Sequence, residues 1–177
     1  GSGTLAFTPM GTLLETDIPG QSLPAVGDVD GDGAADLMVG SDQSILLLYY
    51  GQKEGSATAF SHERMRAYSK LCADEGLGHW LCPFLGDLDG DGDTDLAIGT
   101  FDGYVARLTG DGSGAFAFDG FVTVDEMNYK GNHNLKFGHF AAPVFTDLNG
   151  DGSLDLLCGS LEYGLAYPID SPYFPYA

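Results

Sequence analysis

The amino-acid sequence predicts an all-β chain built from three tandem four-stranded units. Its apolar segments are short and are interrupted by 27 glycines and 8 prolines, as is typical of strands joined by tight turns. An acidic nine-residue segment occurs three times in the 177 residues, at spacings of 59 and 60 residues. Glycine and aspartate interrupt nearly every window that is long enough for a helix. Four-stranded units that repeat at such a period are typical of β-propeller blades.

The second unit illustrates the four predicted strands. They are GSATAF (55–60), PFLGDL (83–88), DLAIGT (95–100) and GYVARLTG (103–110). The apolar residues of DLAIGT and its counterparts are nearly continuous, which predicts strands that are covered on both faces. Residues 61–76 form an insertion that we expect to be either a short helix or an ordered loop.

Three similar segments, GSGTLAF, GSATAF and GSGAFAF, mark approximate unit boundaries. They divide the chain into blades at 1–54, 55–111 and 112–167, followed by an aromatic tail at 168–177. Three blades subtend too small an arc to close comfortably into a ring, so we expect a partial or open propeller. Three alternatives follow: a piece of a larger propeller, copies joined head to tail by a donated strand into a filament or ring, or a monomer whose tail covers the open end.

Charge and motifs exclude several functions. The formal net charge of −19 makes nucleic acid and anionic membranes poor partners. No apolar segment approaches the roughly 20 residues that a membrane span needs. The first ten residues lack the basic start and apolar core of a signal peptide, so none is expected within this chain. No motif of a known catalytic site is present, and we expect a protein that is not an enzyme.

The repeated acidic segments read DVDGDGAAD (28–36), DLDGDGDTD (87–95) and DLNGDGSLD (147–155). Side chains at positions 1, 3, 5 and 9 can point at one centre, glycines at positions 4 and 6 permit the tight turn, and position 7 offers its carbonyl. Such oxygen donors suit Ca²⁺ better than a transition metal. The segments differ from an EF-hand loop, because position 12 is apolar and strands flank them. Carboxylates this close repel one another strongly, which favours a bound divalent ion.

The motifs DVDGDGAADLMVG, DLDGDGDTDLAIG and DLNGDGSLDLLCG resemble the FG-GAP/VCBS repeats, the calcium-binding blades of integrin α-chain propellers and of many secreted bacterial proteins. The resemblance covers nearly the whole chain and implies about three Ca²⁺ ions in an extracellular or cell-surface module with a structural or adhesive function. The neutral Asn149 is expected to make the third site weaker. The implied ligands are Asp28, Asp30, Asp32, Ala34 (carbonyl) and Asp36; Asp87, Asp89, Asp91, Asp93 (carbonyl) and Asp95; and Asp147, Asn149, Asp151, Ser153 (carbonyl) and Asp155.

Two further hypotheses concern residues outside the acidic segments. In an exported protein Cys72 and Cys82 would form a disulfide that closes a loop, the alternative being three free thiols. The alternative function is calcium-dependent binding of a carbohydrate in a groove between blades, where aromatic rings stack on sugars. The candidate groove residues are Trp80, Tyr104, Tyr129 and His133, which are otherwise blade core or a solvated loop.

Overall fold

Antiparallel strands are the main secondary structure of the computed structural model, which describes residues 18, 20–55, 57–124, 133–161 and 164–166, with only the backbone at 124, 133 and 164–166. In chain order the strands are β1 (Ser22–Gly27), β2 (Asp36–Ser41), β3 (Leu46–Tyr49), β4 (Gln52–Glu54), β5 (Ala57–Ala59), β6 (Met65–Ala67), β7 (Cys82–Gly86), β8 (Asp95–Gly99), β9 (Val105–Gly110), β10 (Phe116–Phe121), β11 (Thr123–Val124), β12 (His133–Asn134), β13 (Ala142–Thr146), β14 (Asp155–Ser160) and β15 (Gly164–Ala166). A 3₁₀ turn lies at His62–Arg64 and a helix, α1, at Ser69–Asp74. Within the described ranges, no helix combines the length and the apolar character that crossing a bilayer requires.

Three successive sheets correspond to the three repeats. Their strand orders are β1-β2-β3-β6 for the first sheet, β7-β8-β9-β10 for the second and β13-β14-β15 for the third. The pairs β4–β5 and β11–β12 form separate two-stranded sheets. The prediction of an all-β fold with several antiparallel sheets is therefore confirmed. The first two sheets have four strands each, whereas the third has three described strands, and the described sheets do not close a ring.

The fourth strand of the second sheet lies beyond the boundary placed at residues 111/112. The segment GSGAFAF was expected to open the third unit, but β10 pairs with β9 instead. Its start forms a tight turn, because Asp111 Oδ1 accepts hydrogen bonds from the N–H groups of Ser113 (2.9 Å) and Ala115 (3.2 Å). This turn returns the chain to its own sheet. Similarly, the boundary at 54/55 falls inside the β4–β5 hairpin, and β6 supplies the fourth strand of the first sheet.

The insertion at residues 61–76 contains the 3₁₀ turn, β6 and α1, so it combines a short helix with an edge strand. Cys72 on α1 is buried in the core between the first two sheets, whereas Cys82 begins β7. The structure holds Cys72, Cys82 and Cys158 as free thiols, and the predicted Cys72–Cys82 disulfide is not formed. Burial raises the pKa of the Cys72 thiol to about 12 and that of Cys158 to about 11.

The three sheets stack in a row with a core in each gap. Both β2 and β8 are buried along their whole length, as predicted for strands covered on both faces. Met38 of β2 and Leu96 of β8 share the first core, whereas Ala97 of β8 shares the second core with Leu156 of β14. Successive residues of β8 thus serve opposite cores, because side chains alternate along a strand. Each sheet meets the next through its first strand: β1 contacts β7, and β7 contacts β13.

Candidate metal centres

The three acidic segments occupy equivalent places in the fold. Each one is the loop between the first two strands of its sheet, and we call residues 28–36, 87–95 and 147–155 the first, second and third acidic loops. The first two loops are in contact, since the Thr94 hydroxyl of the second loop donates a hydrogen bond to the Asp28 carbonyl of the first (2.7 Å). The stacking of the sheets therefore sets the loops side by side.

Within the first loop the backbone folds around its own carboxylates. Gly31 (φ 70°) and Gly33 (φ 82°) adopt the left-handed conformation that the turn requires. The Gly33 N–H donates to Asp28 Oδ2 (2.9 Å), and the Ala34 N–H donates to Asp32 Oδ1 (2.7 Å). The equivalent bonds in the other loops join Gly92 to Asp87 (3.1 Å), Asp93 to Asp91 (2.8 Å), Gly152 to Asp147 (2.8 Å) and Ser153 to Asp151 (2.8 Å). The conformation of each loop is therefore determined by residues within the loop itself.

Carboxylates from positions 1, 3 and 9 converge in the first two loops. In each group every residue offers an oxygen atom within 4.8 Å of the others; the groups are Asp28, Asp30 and Asp36, and Asp87, Asp89 and Asp95. Asp28 Oδ1 is buried and has no hydrogen-bond partner, which is unfavourable unless a cation or water compensates it. Clustered carboxylate oxygens are the donors that hard divalent cations prefer. The residues present therefore fit Ca²⁺.

The charge balance within the second group is visible at Asp89. The Asp91 N–H lowers the pKa of Asp89, but partial desolvation and the carboxylates of Asp95, Asp91 and Asp87 outweigh it, so that the pKa is raised above its ordinary value. The predicted fifth-position ligands, Asp32 and Asp91, lie outside the two close groups. A cation at the centre of the group would offset the repulsion between the Asp89 carboxylate and its neighbouring carboxylates.

The ninth-position aspartates tie each loop to its own sheet, a function that the sequence did not reveal. The Asp36 carboxylate is fully buried and accepts hydrogen bonds from the N–H groups of Val29 (2.8 Å) and Gly51 (2.7 Å). Burial raises the pKa of Asp36, and although these two hydrogen bonds lower it, the pKa stays above its ordinary value. Asp95 has the same environment, with bonds from Leu88 (2.7 Å) and Gly110 (2.8 Å). These aspartates link the loop to a glycine at or just after the end of the third strand of the sheet.

A glycine at a fixed spacing is the sequence signal that could have predicted the bond from the ninth-position aspartate to the third strand. Gly51 and Gly110 each follow the ninth-position aspartate by 15 residues. A Cβ at Gly51 would lie 2.1 Å from the Ala35 carbonyl oxygen, and a Cβ at Gly110 would lie 2.2 Å from that of Thr94. Glycine is required there because the chain must approach the loop closely enough for its N–H to reach the aspartate.

The third acidic loop differs from the other two. Asn149 replaces an aspartate, and its side-chain NH₂ group donates a hydrogen bond to Asp151 Oδ2 (3.0 Å). The bonds from the Ser153 N–H and from Asn149 lower the pKa of Asp151. Asp155 still accepts the Leu148 N–H (2.9 Å), so the loop keeps its ninth-position contact. One ligand charge fewer and a competing side-chain bond are both expected to weaken a cation site here.

The carbohydrate groove stays a prediction, because the structure describes the side chains of only two of its four residues, Trp80 and Tyr104. Trp80 packs against Phe140 (5.0 Å between ring centroids), with φ of 57° and 60° at the two residues. Tyr104 instead contacts Phe121 (5.8 Å), and the Lys136 ammonium lies 5.5 Å above its ring. The other two candidates, Tyr129 and the His133 side chain, lie outside the described part of the chain.

Comparison with known protein families identifies the repeats. One family model, described as FG-GAP repeat, matches residues 20–60, and another, described as FG-GAP-like repeat, matches residues 87–158. Comparison with curated proteins gives no match. The matched segments include all three acidic loops and extend over more than half of the chain. The chain belongs to the FG-GAP repeat family.

Proposed function

We propose that this protein is an extracellular calcium-binding module with a structural or adhesive function, and that each acidic loop holds one Ca²⁺ ion. The observation that carries the proposal is the buried, unpartnered Asp28 Oδ1 within a group of three carboxylates. Repeats of this family are typical of extracellular or surface proteins, where calcium is abundant. The proposed role needs no catalytic group.

The ligands in this proposal come from the chain itself. Positions 1, 3, 5 and 9 would supply side-chain oxygens, and position 7 would supply its carbonyl oxygen, giving the oxygen-rich coordination that Ca²⁺ prefers. Three ions would offset six units of the formal net charge of −19. Asp36 and Asp95 would then couple the ion to the sheet, since each also accepts a backbone N–H at or just after the end of the third strand. Calcium would thereby stabilise the blade as well as the loop.

Calcium dependence of folding tests the proposal. We expect the melting temperature to fall strongly when EDTA is added and to recover with excess Ca²⁺, because a ligand that binds the folded state stabilises it by mass action. Isothermal titration calorimetry should give two tighter sites and one weaker site. An equal melting temperature in EDTA and in millimolar Ca²⁺ would refute the proposal.

A second part of this proposal is that the chain assembles with further blades. The blades of this chain would work next to others, from copies of itself in a filament or ring or from a larger propeller. Burial supports this part of the proposal, because β1 exposes alternate residues whereas its counterpart β7 has no exposed residue.

The second candidate function is calcium-dependent carbohydrate binding. It is favoured by a partly exposed aromatic cluster in which Phe101 lies near Trp80, His79 and His139 (6.5, 4.9 and 5.5 Å between ring centroids). A glycan array probed with and without Ca²⁺ distinguishes the two functions. Binding that disappears in Trp80→Ala, whose calcium affinity is unchanged, would support the second candidate, and an array without signal would exclude it.

A further inference from the structure

A glycine marks the contact between successive sheets. A Cβ placed on Gly40 of β2 would lie 1.9 Å from the carbonyl oxygen of Leu81, and one on Gly99 of β8 would lie 2.1 Å from that of Ala141. Real Cβ atoms do not approach backbone atoms so closely. Glycine is therefore required at both positions, because the chain leading into the first strand of the next sheet passes directly over them.

Gly159 holds the equivalent position on β14, where the described part of the chain places no comparable backbone above it. Among the described residues, a Cβ at Gly159 would meet only Ala142, at 3.7 Å, which is an ordinary contact with its own strand partner. No described segment makes here the close approach that requires glycine at positions 40 and 99. The third sheet therefore keeps a glycine at the position where a following strand could approach it closely.

The β13–β14 hairpin that carries Gly159 also exposes two large apolar side chains. Val144 of β13 is 46% exposed and Leu148 is 47% exposed. The residues at the same positions in the other two sheets pack into the cores. Ala25 and Phe84 correspond to Val144, and Val29 and Leu88 correspond to Leu148. We call Val144, Leu148 and Gly159 the downstream face.

The opposite end of the row presents the matching strand. Ser22, Pro24 and Val26 of β1 are all exposed, Val26 to 61%. Their counterparts in the next two sheets lie against the preceding sheet; they are Leu81, Pro83 and Leu85, and Ala141, Pro143 and Phe145. Ile18 and Phe60 cover the neighbouring side chains of β2 on this side, so β1 is the part that remains open. We call Ser22, Pro24 and Val26 the upstream face.

We propose that the upstream face of one copy of this chain docks on the downstream face of a second copy, with its β1 strand over Gly159 as β7 lies over Gly40. The contact continues the interface already formed twice inside the chain. It is heterologous, so it propagates until the copies close a ring or extend a fibre. The inference deepens the assembly part of the proposed function but does not depend on calcium binding, which is measured separately.

Sedimentation velocity over a concentration series, in calcium and physiological salt to screen the net charge, tests the docking. The wild type should associate as its concentration rises. Gly159→Ala should raise the concentration needed by at least about tenfold, because its methyl group occupies the place of the incoming carbonyl. Its melting temperature should stay unchanged, since among the described residues the methyl meets no atom closer than 3.7 Å. Gly99→Ala, which alters an internal contact, should instead lower the melting temperature.

A mixing experiment tests the direction of the contact. Val26→Glu on the upstream face should also remain monomeric, whereas Met65→Glu, on the opposite edge strand of the first sheet, should associate like the wild type. Gly159→Ala keeps an intact upstream face, and Val26→Glu keeps an intact downstream face. Their mixture should therefore form dimers that grow no further.

Three outcomes would overturn the proposal. The first is a wild type that stays monomeric at all concentrations, which would leave further blades of a longer chain as the occupant. The second is a Gly159→Ala variant that associates normally. The third is a monomeric wild type that Gly159→Ala destabilises, which would mean that a segment of the same chain covers Gly159. Calcium titration of each sample shows independently whether the metal sites are intact.

Discussion

Replacing Asp36 by alanine should destabilise the protein even when no calcium is present. The carboxylate is buried and accepts the N–H groups of Val29 and Gly51, so the substitution leaves two buried donors without partners. Each unsatisfied buried donor costs about 1–3 kcal/mol, which gives a loss of roughly 2–6 kcal/mol in the free energy of unfolding. For a chain of this size the melting temperature should fall by roughly 5–20 °C.

The assay compares Asp36→Ala with Asp30→Asn by thermal unfolding in EDTA and in Ca²⁺. Asp30→Asn removes one charge from the same group but keeps the oxygen that accepts the Asp32 N–H (3.2 Å). In EDTA this control should unfold at or slightly above the wild-type temperature, because it relieves like-charge repulsion, while in Ca²⁺ it should lose stabilisation. If Asp36→Ala melts within about 2 °C of the wild type in EDTA, the aspartate is only a ligand and the reasoning fails.

Two further predictions concern the third loop and the thiols. Asn149→Asp should restore the missing charge, remove the side-chain bond to Asp151 and tighten the weakest calcium site several-fold in calorimetry; unchanged affinity would contradict this. A thiol reagent at pH 8 should leave Cys72 unmodified in the folded protein, because burial raises its pKa to about 12, and should label three thiols per chain after unfolding in denaturant. A single reactive thiol after unfolding would indicate a disulfide.

The acidic loops could be predicted because their information is contiguous. Nine neighbouring residues supply the carboxylates, the glycines with positive φ and the hydrogen bonds that fold the loop. The buried strands could be predicted for the same reason, since an unbroken apolar run such as that of β8 is stable only between two cores. The period of the repeat then placed each loop in an equivalent position.

Strand partners could not be predicted in this way. The segment 112–118 looked like the start of a unit, yet it closes the second sheet, because a turn centred on Asp111 returns it to β9. The predicted Cys72–Cys82 disulfide shows the same difficulty. The two residues are near in sequence, but α1 buries Cys72 in the core, whereas Cys82 begins a strand. Both depend on the direction in which a short turn sends the chain, which composition and spacing do not encode.

The sequence by itself determined the chemistry of this protein: which atoms gather, what charge they carry and how often the arrangement recurs. These properties follow from residues a few positions apart, whose geometry is set by local backbone conformation. Only the tertiary structure decided that Asp36 and Asp95 also hold the sheets to their loops, and that no described segment covers Gly159 as the next sheet covers Gly40 and Gly99. Such facts depend on which distant segments approach one another, because burial and unfilled contacts exist only after the sheets have stacked.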